Sequence, residues 1–89
     1  MKDLVYPAVL YKDENNGGYT IAIHDLGIVT DGATVVDAFI KAKEDLCAMI
    51  NCAIKYECDI EAPTEFEKVY KDNNKGKVKN IVLLIDALA

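Results

Sequence analysis

IVTDGATVVDAFIKAKEDLCAMINCA, residues 28–53, is the stretch whose reading decides the fold. Thr34 followed three residues later by Asp37 resembles a capping box, with the shorter Asp in place of Glu. Behind that cap, Val35, Ala38, Phe39, Ala42, Leu46, Met49, Ile50 and Ala53 recur at three- and four-residue spacing. They form one apolar stripe, opposite Lys41, Lys43, Glu44 and Asp45. At some 20 residues and about 1.5 Å rise per residue, this helix spans roughly 30 Å, enough to cover a small sheet. Before it, Ile28-Val29-Thr30 reads as a strand that stops at Asp31-Gly32. A strand feeding a long amphipathic helix demands a sheet for that helix to cover.

The sheet lies mostly upstream. Tyr19 to His24 alternates cleanly, with Tyr19, Ile21 and Ile23 on one face and Thr20, Ala22 and His24 on the other. Asp25-Leu26-Gly27 turns this strand into the next, and Asn16-Gly17 supplies hairpin chemistry before it. Leu4 to Lys12 is the first strand, and both of its alternating sets are largely apolar, as in a strand covered on more than one side. Pro7 cannot donate to a ladder and belongs near the strand's start or at a bulge. Downstream, Thr64-Glu65-Phe66-Glu67 can open one or two helical turns, and Asp72 to Lys77 is a polar loop. Asn80 to Ala87 is a short apolar run suited to a central or parallel strand. The expected architecture is an α+β two-layer sandwich, β-β-β-α-β, with an extra short helix near 64–70. Its last strand is expected beside the first and parallel to it, through a right-handed crossover.

The whole chain of 89 residues fits one domain. Surface scaling predicts that about 64% of its surface leaves water on folding, a real but thin core. With 52% apolar and 28% charged residues it is globular in composition, and no run approaches the roughly 20 apolar residues of a bilayer span. No secretory signal opens the sequence, so a cytoplasmic location is expected. The net charge of −5 divides into −3 over residues 1–33, −3 over 34–62 and +1 over 63–89. Such an acidic body disfavours nucleic acid, whose binding needs a basic stripe, and suits a basic protein partner. The one cationic cluster, Lys71, Lys75, Lys77 and Lys79, reads as a solvated connection.

Candidate chemistry is sparse. Cys47, Cys52 and Cys58 are odd in number, and Cys47 and Cys52 stand about 140° apart round a helix, so they read as buried or semi-buried free thiols. The single histidine, His24, is remote in sequence from all three cysteines, and the chain has no serine. No phosphate-binding loop, cofactor motif or metal-ligand spacing is present. Asp3, Asp25, Asp31 and Asp86 sit at strand ends, where a two-metal carboxylate site would need them to converge.

Taken in order, several segments resemble the start of HicB-type antitoxins. They are Tyr6-Pro7-Ala8-Val9-Leu10-Tyr11-Lys12, Asn16-Gly17-Gly18-Tyr19-Thr20-Ile21-Ala22-Ile23 and Asp25-Leu26-Gly27. Thr30-Asp31-Gly32-Ala33-Thr34, leading to Asp37-Ala38 and Ala42-Lys43-Glu44, looks like that family's turn and helix start. The likeness covers residues 4–50 well and 81–86 loosely. It departs where relatives have Pro-Gly and this chain has Leu26-Gly27-Ile28, in the Cys-bearing stretch Cys47 to Cys58 into which the helix continues, and in the length of the Glu65 to Lys79 segment.

The resemblance implies a degraded ribonuclease-H-like fold with strand order 3-2-1-4. It also implies a non-catalytic antitoxin that binds a small basic HicA-type mRNA-cleaving toxin. Many relatives append a helix-turn-helix or ribbon-helix-helix domain, and residues 1–89 read as a single HicB-like domain without one. Candidate partner-binding residues are the carboxylates Glu14, Asp25 and Asp31, with Tyr6 and Tyr19 as aromatic anchors. Ordinary sheet packing is the competing role for both tyrosines. No catalytic residue, cofactor or metal is assigned. An apolar sheet face left open implies self-association, as a homo-oligomer of dimer order or higher. The alternatives are a metal-dependent ribonuclease-H-like nuclease and an orphan homo-oligomeric structural module.

Overall fold

A computed structural model describes residues 4–15, 17–74 and 80–87. Three strands come first, β1 (Val5–Lys12), β2 (Tyr19–Ile23) and β3 (Ile28–Gly32), with a short 3-10 turn at His24–Leu26 between the last two. The long helix α1 (Val35–Lys55), a shorter α2 (Phe66–Asp72) and the strand β4 (Ile81–Asp86) follow. The strands form one sheet in the order β3-β2-β1-β4, with β3 and β4 as its edges. The α+β architecture, the strand order and the extra short helix are those expected from the sequence.

The direction of β4 is not. Val5 pairs with Asp86 and Leu10 with Ile81, so β4 runs antiparallel to β1, and the sheet is antiparallel throughout. The reason lies in the connection. A single crossover helix returns the chain to the end of the sheet where β1 begins, and a strand starting there would be parallel. Here the chain arrives at that end, where the Tyr6 hydroxyl donates to the Glu61 carbonyl oxygen at 2.6 Å. It then passes through α2 to the opposite end before β4 starts beside Leu10.

The main core lies between the sheet and α1. Tyr6, Ala8 and Leu10 of β1, Ile21 and Ile23 of β2, Ile28 of β3 and Ile85 of β4 share one face. Ala38, Ala42, Leu46 and Ile50 of α1 are buried against it. Alanine at the first two positions lets the helix axis approach β2 and β3 closely, and the buried Thr30 hydroxyl donates to the Ala38 carbonyl oxygen at 3.3 Å. Gly32 makes that approach possible, because a Cβ there would lie 2.5 Å from the Ala38 backbone nitrogen. The cap forms as the sequence implies, with the Asp37 N–H donating to the Thr34 hydroxyl oxygen at 3.1 Å.

β1 is covered on both faces, as its doubly apolar pattern requires. Val9 and Ala22 project from the far face and are also buried. The Tyr11 hydroxyl lies 3.4 Å from His24 Nε2, on the same side. Next to them α2 packs on β4 and β1, with Pro7 and His24 lining a small cleft beside Lys68 and Val69. Val29 and Leu84, also on that face, remain 68% and 54% exposed, so part of the expected open apolar surface is real.

A clasp of asparagines seats the start of β4. Asn80 N–H donates to Asn74 Oδ1 at 2.7 Å, and the Asn80 side chain donates to the Asn73 carbonyl oxygen at 3.0 Å. The other end of β4 is tied to α1, where Lys43 Nζ donates to the Asp86 carbonyl oxygen at 2.6 Å. Of the cationic cluster, Lys75, Lys77 and Lys79 lie outside the described residues, as does Asn16 of the hairpin. Among the described residues, no helix is long and apolar enough to cross a membrane.

Candidate partner-binding site

A groove of about 870 Å³ lies at the edge of the sheet, beside Ile28 and Val29 of β3. Three short pieces of chain build it. The first is the 3-10 turn, closed by Gly27 at φ 66°, a left-handed conformation that favours glycine, which brings Leu26 and Ile28 to the groove. The second is the last half of α1, which supplies Asp45, Met49 and Cys52. The third is the segment after α1, which supplies Cys58, Asp59, Ile60 and Glu61.

The helix end sets the course of that third wall. The Cys58 N–H donates to the Ala53 carbonyl at 2.8 Å and the Glu57 N–H to the Ile54 carbonyl at 3.3 Å, the paired bonds of a Schellman cap. Its left-handed position is held by Glu57, at φ 53°, where glycine is the usual occupant. The motif reverses the chain and leads Cys58 to the groove beside Cys52 and Ala53.

Electrostatically the groove is one-signed. Asp25, Asp45, Asp59 and Glu61 all line it, and among the described residues no Lys, Arg or His does. Asp25 is fixed, because its carboxylate accepts both the Thr64 N–H, at 2.9 Å, and the Thr64 hydroxyl. Burial first, and then the Asp25 and Glu61 carboxylates, raise the Tyr6 hydroxyl above its ordinary pKa of 10.0.

The five residues singled out from the sequence fall into two groups: Tyr19 shares one surface hollow with Glu14 and another with Asp31, whereas Tyr6 and Asp25 belong to the groove end of the sheet. Tyr6 is 0% exposed and spends its hydroxyl on Glu61, so it anchors the groove's third wall from inside and presents no surface to a partner. Tyr19 is half-buried and packs against the core, and it lines a shallow surface hollow with Leu10, Tyr11 and Ile81. Glu14 is exposed in the β1–β2 hairpin and Asp31 is exposed on β3. Asp25 alone of the five lines the groove.

Of the carboxylates weighed for a metal, Asp3 lies outside the described residues, and Asp31 and Asp86 do not meet. Asp31 pairs with Thr20, opposite Tyr11, whereas Asp86 pairs with Val5, so the two occupy opposite ends of the sheet. Among the described residues, no group of three or more His, Cys, Asp or Glu side chains could hold a metal ion. All three cysteines are free, and the expected burial holds only for Cys47, whose thiol donates to the Ala87 carbonyl at 3.1 Å. Cys52 and Cys58 are exposed. The helix pattern alone could not reveal this, because their surroundings depend on where the chain turns after Lys55. Met49 carried a usable signal: it widens the apolar stripe beyond what the sheet covers, and it is 37% exposed.

Comparison with solved structures identifies this fold. The chain superposes on the N-terminal domain of the Burkholderia pseudomallei antitoxin HicB with a TM-score of 0.77 and 18% identity, over 91% of this chain and 94% of that one. It also matches a chain of a toxin–antitoxin complex from Streptococcus pneumoniae, with a TM-score of 0.72 and 17% identity, over 96% of this chain and 69% of the other. No family model and no curated protein sequence matches it.

Proposed function

We propose that this chain is a HicB-like antitoxin that binds a small basic HicA-type mRNA-cleaving toxin and neutralises it without catalysis. The observation that carries this reading is the shared fold with the HicB N-terminal domain, over 91% of this chain. The net charge of −5 supports it, since an acidic body complements a basic RNA-cleaving protein and repels RNA itself. The dispersal of Asp31 and Asp86 to opposite ends of the sheet speaks for binding rather than metal-dependent cleavage. In this reading the protein works in the cytoplasm, as a single HicB-like domain that makes no direct contact with nucleic acid.

Self-association belongs to the same proposal. Val29 on one edge strand and Leu84 on the other are exposed apolar side chains on the far face. Light scattering at tens of micromolar checks it, and a clean monomer overturns it. The test of function is co-expression with a candidate small basic toxin. Growth rescue and a co-purifying complex are expected; absence of both overturns the antitoxin reading.

A further inference from the structure

We infer that the groove beside Ile28 and Val29 of β3 is the docking site for a cationic, amphipathic segment of the partner protein, one that sets Lys or Arg beside large apolar side chains. The inference rests on the antitoxin reading for the partner's identity, but its chemistry comes from the groove. Leu26, Ile28, Met49 and Ile60 offer an apolar lining, and an apolar groove of about 870 Å³ holds several large side chains. Asp45 and Asp59 are exposed at its rim, and Asp25 and Glu61 add two more carboxylates. Among the described residues no cation lines the groove, so no described lining residue offsets these charges. A partner segment bringing apolar groups flanked by cations matches both features, whereas an acidic or purely polar segment matches neither.

The site carries its own reporters. Cys52 and Cys58 are exposed free thiols that line the groove, while the Cys47 thiol is half-buried and bonded to the Ala87 carbonyl. An occupant of the groove therefore shields the first two from a maleimide and leaves the third unchanged.

The probe is a short amphipathic leucine–lysine peptide, with its leucine–glutamate counterpart as control, added to the full chain. The lysine peptide is expected to bind and to slow modification of Cys52 and Cys58 about tenfold or more, with Cys47 unaffected; the glutamate peptide is expected to do neither. The double change Asp45→Lys and Asp59→Lys, at two exposed positions, should retain the fold by circular dichroism and weaken peptide binding about tenfold or more. Binding that persists in this variant, or that leaves Cys52 and Cys58 as reactive as before, overturns the inference. The same labelling in the complex with the co-expressed basic protein separates the two proposals. A complex that leaves both thiols reactive overturns the groove and upholds the antitoxin reading. Peptide docking without any toxin neutralised upholds the groove and overturns that reading.

Discussion

The two helices meet the sheet in opposite ways. α1 buries Ala38, Ala42, Leu46 and Ile50, whereas α2 buries no residue at all. On α2 the Phe66 and Tyr70 rings stack on each other at 6.0 Å between centroids, and both stay exposed. What holds the α2 region is polar: the Asn73, Asn74 and Asn80 clasp at one end and the Thr64–Asp25 bonds at the other. Apolar burial stabilises in proportion to area, while each hydrogen bond exchanges with water and nets about 1 kcal/mol. The β1–β3 meander with α1 is therefore the stable unit, and residues 56–74 are the part that opens first.

The sharpest way to break this comparison is a matched pair of truncations. Leu46→Ala removes a fully buried side chain facing the sheet and is expected to cost about 3–4 kcal/mol in denaturant unfolding. Val69→Ala, on half-buried α2, is expected to cost about 1 kcal/mol or less. Equal costs would mean that α2 contributes as much as α1.

Asn74→Ala removes bonds of a buried side chain, among them one to Asn80 and one to the Tyr70 carbonyl. A loss of about 1–2 kcal/mol is expected. Hydrogen exchange should accelerate in α2 and β4 and remain unchanged in α1.

Tyr6→Phe keeps the ring in the core and deletes the bond to Glu61, at an expected cost of about 1 kcal/mol. Its pH dependence carries a sign. The folded hydroxyl titrates above its ordinary value, so its stabilising contribution is full below pH 10.0 and is lost as pH rises through the higher, folded value. Wild-type stability should therefore fall more steeply above pH 10.0 than that of Tyr6→Phe, read from urea midpoints.

The smallest effect has the opposite direction. Glu57→Gly relieves a left-handed residue at φ 53° and should stabilise by about 0.5–1 kcal/mol, seen as a raised melting temperature. No gain would mean that the Glu57 side chain contributes enough to offset the backbone cost.

These differences also explain which parts could be read in advance. The cap at Thr34, the helix stripe and the alternation in β2 are local patterns, and local patterns report directly on helix and strand. The Tyr6 ring was legible as an apolar strand residue, but its use as an internal anchor depends on Glu61, 55 positions away in sequence. Asp25 stands out in the sequence as a carboxylate at a strand end; its fixed geometry comes from Thr64, 39 positions away. Cys52, Cys58, Asp45 and Asp59 form one surface only because the chain reverses after Lys55 and passes beside Ile28 and Val29 at the start of β3.

By itself, then, the amino-acid sequence determined the α+β class, the long capped helix, the double cover on β1 and the acidic character of the surface. These follow from periodicity, capping chemistry and charge, each written within a few residues. The tertiary structure alone decided that β4 runs antiparallel, that Tyr6 faces inward, and that four carboxylates and two thiols border one apolar groove. Those outcomes turn on how residues 56–74 pass round the end of the sheet, and a weakly patterned connection takes its path from the surfaces it meets.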